Sequence, residues 1–175
     1  MKLLAFAASS SRQSINKQLV NYAASLVAGA EVEILDLNDY ELPLFSVDKE
    51  KELGQPELAK AFLNKIGSAD ALLISFAEHN GAITAAWKSL YDWCSRIEAN
   101  VYQGKPVVML STSPGRRGGA GALNIALQTA PYFGADIRGS LSIPSFNENF
   151  DRESGQLTNA ELQAKLVEVL GMLQN

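Results

Sequence analysis

The chain has 175 residues, 47% hydrophobic and 19% charged, a globular balance that excludes wholesale disorder and suits one domain of ordinary size spanning 1–175. Its 15 Lys and Arg against 19 Asp and Glu give a formal charge of −4, the wrong sign for a general binder of nucleic-acid phosphates. One cysteine, Cys94, and one histidine, His79, exclude an intrachain disulfide and any two-histidine metal site.

The first apolar run, Leu3 to Ala8, is short and apolar on both faces, as a buried parallel strand is. It is too short for a signal peptide, and no run approaches the roughly 18–20 residues of a membrane span. A soluble cytoplasmic protein without metal, membrane or nucleic-acid partners is therefore expected. After Ser9–Ser14, the residues Ile15, Leu19, Tyr22, Ala23 and Leu26 recur at helical spacing, and Gly29 marks a stop. Glu31 to Leu37 alternates and reads as a second strand nearer an edge. Asn38 to Pro56, with Pro43, Gly54 and a charged run from Asp48 to Glu52, reads as a long loop, a functional rim or an insertion. Leu58, Phe62, Leu63 and Ile66 mark the next helix.

Ala69 to Phe76 is a third, buried strand, and Ile83 to Ile97 a helix carrying Trp87 and Trp93. Lys105 to Ser111 supplies a fourth strand, followed by a helix from about Gly121 to Tyr132. A fifth strand spans Ala135 to Ile143, with Gly139 weakening the pattern. Leu157 to Leu173 closes the chain as a helix, with Thr158 as N-cap and Glu161 three residues on. Strands alternating with helices predict an α/β fold with a mostly parallel sheet covered on both faces. Right-handed crossovers and five strands select the flavodoxin-like three-layer sandwich of order 2-1-3-4-5.

In such a sheet ligands bind beyond the carboxyl ends of the strands, near the switch in strand order, where the loops after strands one, three and four rise. Ser9-Ser10-Ser11-Arg12-Gln13-Ser14-Ile15-Asn16 places hydroxyls, a guanidinium and an amide before a helix whose open N–H groups favour a phosphate. An ordinary turn with an N-cap serine has the same composition. Neither G-x-G-x-x-G nor G-x-x-x-x-G-K-[ST] is present, which favours a terminal monophosphate over a pyrophosphate. Glu78-His79-Asn80-Gly81 offers backbone groups and an imidazole, though Asn-Gly is also a plain turn signal. Ser113-Pro114-Gly115-Arg116-Arg117-Gly118-Gly119 is glycine-rich, and its glycines let backbone approach a flat ligand; the arginine pair is either functional or solvated.

These loops together resemble those of the NADPH-dependent FMN reductase family, which includes quinone, azo-dye and chromate reductases. The resemblance covers nearly the whole chain. Of a first motif near G-S-x-R-x-x-S-x-N, Ser9, Ser14 and Asn16 are kept, with Ser11 at the arginine's place and Arg12 beside it. Of a second, Glu78, Asn80, Lys88 and Asp92 match, while Ala77, His79 and Thr84 replace the usual proline, tyrosine and second proline. The third, close to S-x-S-P-G-x-x-G-G, is matched by Ser111 to Gly119.

The resemblance implies noncovalent FMN, with the phosphate held by Ser9, Ser11, Arg12, Ser14, Ile15 and Asn16. It places the ring against Glu78, His79, Asn80 and Gly81 on one side and Ser113, Pro114, Gly115, Arg116 and Gly118 on the other. It implies hydride transfer from NADPH or NADH to FMN, then electron transfer to a small acceptor, without a side-chain acid or base. With FMN bound, Arg116 or Arg117 is expected either to stabilise negative charge on reduced flavin or to pair with a nicotinamide phosphate. A homodimer or homotetramer is implied as well, with the 38–56 segment contributing. A flavodoxin-type electron carrier without nicotinamide turnover is the alternative. A phospho-receiver is disfavoured, because serines rather than acids follow the first strand. His79 is expected on the surface or packed against the ring, Cys94 buried, Trp87, Tyr91 and Trp93 in packing, and Lys88 with Asp92 as a helix pair.

Overall fold

The computed structural model describes residues 1–174. In chain order the elements are β1 (Lys2–Ala8), α1 (Ile15–Ser25), β2 (Glu31–Leu35), α2 (Val47–Leu53), α3 (Glu57–Ser68) and β3 (Ala71–Phe76). A small hairpin of β4 (Glu78–His79) and β5 (Ala82–Ile83) follows, then α4 (Ala85–Ser95), β6 (Pro106–Thr112) and α5 (Ala120–Thr129). Next come β7 (Asp136–Ile143), α6 (Phe146–Asn149), a second hairpin of β8 (Phe150–Asp151) and β9 (Gln156–Leu157), and α7 (Ala160–Gly171).

The long strands form one parallel sheet in the order β2-β1-β3-β6-β7. With the small hairpins set aside, this is the flavodoxin-like order expected from the element pattern. Side chains alternate across the pleat. Leu4, Phe6, Ala8, Leu72, Ile74, Phe76, Val107 and Met109 therefore face α3, α4 and α5 on one side. Leu3, Ala5, Ala7, Ala71, Leu73, Val108 and Leu110 face α1 and α7 on the other. β3 is buried along its whole length, whereas β2 exposes all but Leu35, as an edge strand does.

The 38–56 segment is more ordered than a loop. A 3₁₀ turn covers Leu37–Tyr40, capped by the Asp36 side chain, and α2 follows. α2 buries no residue, so it leaves no apolar periodicity to detect. Its ends are instead set by Ser46, whose Oγ accepts from Lys49 N, and by Gly54 at φ 67°. Arg96, the C-cap residue of α4, donates to Glu50 and ties α2 down. At the C-terminal end the N-cap is Asn159, not Thr158: its Oδ1 accepts from Glu161 N and Leu162 N. Thr158 N is still bonded to Asn149 O beside the β8–β9 hairpin, so the helix starts two residues later.

Gly139, which weakened the fifth strand in the sequence, has a packing cause. A Cβ there would lie 2.3 Å from Val169 Cγ2 and 3.2 Å from Met172 Sδ. β7 also bulges at this point, Val107 pairing with Ile137 and Val108 with Gly139. Val169 is β-branched on a helix and has little freedom to turn away. Gly139→Ala is therefore expected to lower stability by about 1–3 kcal/mol, read from the urea midpoint at constant m.

The tryptophans pack in the core, with Trp87 against Phe6, Phe62 and Phe76 and Trp93 against Phe45. Cys94 is buried, and burial pushes its thiol up to about 12, so it is an inert apolar filler. Lys88 Nζ pairs with Asp92 one helical turn on, at 2.7 Å. Among the described residues, no helix is long and apolar enough to cross a membrane, and no group of three His, Cys, Asp or Glu is placed to hold a metal.

Candidate flavin site

The parallel order brings the loops after β1, β3 and β6 to one edge of the sheet as neighbours. The β1–α1 loop is built by its own hydroxyls. Ser9 Oγ accepts from Ser11 N at 3.2 Å, and Ser14 N donates to Ser11 O at 3.2 Å. Ser14 caps α1, its Oγ taking the Lys17 N–H at 3.3 Å. The turn with an N-cap serine is thus present, and it leaves the rest of the loop open. The N–H groups of Arg12, Gln13, Ile15 and Asn16 find no acceptor among the described residues. Together with the positive end of the α1 dipole they form an anion-attracting concavity. Ser10, Ser11 and Arg12 are exposed, and the Arg12 guanidinium has no partner among the described residues.

Asn16 is placed differently from its expected part at the phosphate. Only 2% exposed, its side chain points beneath the loop. Oδ1 accepts from Ser75 Oγ at 2.8 Å and from Thr112 N at 3.0 Å, while Nδ2 donates to Thr112 O at 3.1 Å. One amide thus ties the start of α1 to β3 and β6. Only its main-chain N–H faces outward with the others.

Lys17, one residue on, pairs with Asp36 at the end of β2. That hydrogen bond, aided by the Asn38 N–H, holds the Asp36 carboxyl down at about 2. A depressed folded value stabilises above the ordinary value of 3.8 and is lost as pH falls through about 2. Both side chains are about a third exposed, so screening reduces the contribution to about 1 kcal/mol. The stability gap between the native chain and Asp36→Asn should narrow as pH falls from 5 to 2 in urea titrations; a gap constant with pH would contradict the pairing.

After β3, Asn80 (φ 53°) and Gly81 (φ 78°) both adopt left-handed backbone and close the β4–β5 hairpin. Asn-Gly is therefore a turn, and the turn is also the tip of the site. Glu78 does not face outward: its Oε2 accepts from Ala122 N at 3.0 Å and caps α5, whose N-cap residue Gly119 has no side chain to offer. α5 approaches so closely that a Cβ on Gly121 would lie 2.7 Å from both Glu78 Oε2 and Gly81 O. His79 is exposed, as expected. Thr84, where the family has proline, donates from Oγ1 to Ala8 O at 2.9 Å and accepts from Trp87 N, fixing α4 to the end of β1.

After β6, the loop is held from below. Gly115 O accepts from Gly118 N and Ser145 N, and Ser113 O accepts from Phe146 N. Ser111 Oγ and Ser142 Oγ both donate to Gly118 O, at 2.8 and 2.9 Å. Gly118 is buried, and its missing Cβ faces β7 rather than a ligand. Pro114, Gly115, Arg116 and Arg117 stand exposed at the tip. The supports that sequence reasoning missed are Ser75, Ser142 and Ser145, while Ser111 and Thr112, noted only as part of the third motif, prove to act from below. For Ser75, Ser111 and Thr112 the signal is a polar residue at the carboxyl end of an otherwise apolar strand. On the α4 side, next to Ser10, an open cleft of about 350 Å³ lies between Leu37–Leu44 and the first turns of α4.

The sequence profile of the NADPH-dependent FMN reductases matches residues 1–148. The chain is 36% identical over 122 residues to a 2-hydroxy-1,4-benzoquinone reductase of a Burkholderia species, covering 69% of this chain and 64% of that one. It thus spans slightly under two thirds of that relative's length. It is 29% identical over 185 residues to the NADPH:quinone oxidoreductase of Arabidopsis thaliana, covering 99% of this chain and 90% of that one. Its fold superposes on the flavoenzyme NAD(P)H:(acceptor) oxidoreductase FerB of Paracoccus denitrificans with a TM-score of 0.80, at 23% identity, over 99% and 97% of the two chains. The sheet order, the three loops at its carboxyl edge and these matches place the chain in the NADPH-dependent FMN reductase family of flavodoxin-like oxidoreductases.

Proposed function

We propose that this chain carries FMN across the carboxyl ends of β1, β3 and β6 and uses NAD(P)H to reduce a small acceptor such as a quinone. The observation that carries the reading is the β1–α1 loop. It combines unpartnered N–H groups, hydroxyls and an unpaired Arg12 with no carboxylate in the whole stretch from Ser9 to Asn16. That donor set fits a phosphate dianion. Two nearby carboxylates are engaged elsewhere, Asp36 with Lys17 and Glu78 with Ala122 N.

When bound, FMN supplies the redox chemistry, taking a hydride from the reduced nicotinamide and passing electrons on. This chain binds and orients. Ser9, Ser11, Arg12, Ser14, Ile15 and Asn16 form the phosphate cradle, Asn16 through its backbone N–H and its brace beneath. The hairpin tip at His79–Gly81 and the loop from Ser113 to Arg116 flank the ring, with Glu78 and Gly118 locking the two supports in place. In this reading no side chain is given the part of an obligatory acid or base. Use of reduced nicotinamide is compatible with the cytoplasmic location expected from the sequence. Self-association is supported by Leu44, Val47 and Leu53, which stand 75%, 57% and 48% exposed along the 38–56 segment.

The test is the anaerobic visible spectrum of the purified protein supplied with FMN, before and after NADPH or NADH. Flavin bands that bleach within seconds and return on adding a quinone are expected. A stable yellow protein would point to an electron carrier, and absence of bound flavin would overturn both readings.

A further inference from the structure

Of the 15 Lys and Arg residues, eight are held in ion pairs with other described residues. Arg152 lies over the Phe146 ring and donates to Asn147. Among the described residues, the arginines whose side chains have no hydrogen bond, ion pair or ring contact are Arg12, Arg116 and Arg117. All three lie at the carboxyl edge of the sheet, in a chain with an excess of carboxylates to offer. Arg12 sits at the start of α1, on the end of β1. Arg116 and Arg117 sit on the end of β6, two strands away and hence about 10 Å across the edge.

The pedestal under the pair is rigid. Gly115 O is held by Gly118 N and Ser145 N, and Arg117 O accepts from Ala120 N and Ser142 Oγ. Above it both side chains are exposed and free to reach. A monophosphate at the α1 cradle is served by Arg12, so the second cationic lip is left for another anion. Exposure suits a charge that arrives and leaves with a dissociating substrate. NADPH differs from NADH by one phosphate on the adenosine ribose, and a guanidinium fork matches phosphate oxygens two at a time.

We propose that Arg117, with Arg116 beside it, reads the 2′-phosphate of NADPH and sets the preference for NADPH over NADH. This rests on reduced nicotinamide being the donor at this flavin site. The test compares kcat/KM for NADPH and NADH, with a quinone acceptor, in the native protein, Arg117→Ala, Arg117→Lys and the Arg116→Ala/Arg117→Ala pair, with FMN content read from absorbance. The NADPH/NADH ratio should fall about tenfold in Arg117→Ala and further in the double variant, through KM for NADPH. Arg117→Lys should recover part of it, and added salt should shrink the native preference. Calorimetric titration with adenosine 2′,5′-bisphosphate should show weakened binding in the same variants, with AMP binding unmoved. An unchanged ratio at native FMN content, or a native preference for NADH, overturns the assignment while leaving the flavin site standing. Loss of FMN from Arg117→Ala gives the arginine to the cofactor and also overturns it. A native protein that binds no FMN removes the site itself.

Discussion

Asn16→Ala is expected to cost about 3 kcal/mol of stability in the protein without flavin, because the amide leaves three buried partners unmatched. Ser75 Oγ, Thr112 N and Thr112 O lose their bonds at once, and all lie where water has no access. Ser75→Ala should cost about 1 kcal/mol, since Asn16 Oδ1 keeps its bond to Thr112 N. FMN affinity should drop alongside stability in Asn16→Ala, because the start of α1 loses its tie to β3 and β6. Urea unfolding of the flavin-free protein separates the two roles that Asn16 has been given. A direct phosphate ligand would weaken FMN binding and leave the flavin-free protein as stable as before.

The second large effect is expected at Gly118. Its φ of 57° already disfavours a side chain, and a Cβ would meet Ser142 Oγ at 2.4 Å and the Ile143 carbonyl carbon and oxygen at 2.8 Å. Backbone atoms of a packed strand have no rotamer to escape by, so the loop itself must move. Gly118→Ala is expected to lower stability by about 3 kcal/mol and to release FMN, as Ser113–Arg116 shift off the ring. Gly115→Ala is the control. It has an ordinary φ, and its Cβ would meet only Ser113 Oγ at 3.9 Å, so a change within about 0.5 kcal/mol is expected. Equal effects at the two glycines in urea unfolding would contradict the packing described.

What was legible in the sequence follows from how each element is stabilised. β1, β3 and β6 declare themselves because both faces are buried, and α1, α3 and α4 because each lays one apolar stripe on the sheet. α2 was illegible because it buries nothing and exists through caps and an ion pair to α4. The β8–β9 hairpin was hidden because each strand contributes two residues, too few for a period.

At the site, the loops were visible as clusters of serine, glycine and arginine, and the parallel order predicted their meeting. The direction each side chain takes was not visible. Asn16 and Glu78 have the chemistry of ligands, yet both are consumed by backbone groups that only the folded chain brings near. Gly118 has the look of a ligand-facing glycine, and the close approach is to β7 instead. Residue type announces what a group can bond; the partner it finds is a property of tertiary structure.

The β1–α1 loop is expected to hold the phosphate of FMN. Riboflavin has the same ring and ribityl chain without the phosphate, so fluorescence titration of the flavin-free protein with each isolates that contact. FMN is expected to bind at least about a hundredfold more tightly than riboflavin, in keeping with two or more charge-assisted hydrogen bonds. Adding a carboxylate to the cradle with Ser11→Asp should remove most of that margin. Equal affinity for the two flavins, undisturbed by Ser11→Asp, would show that the loop does not hold the phosphate.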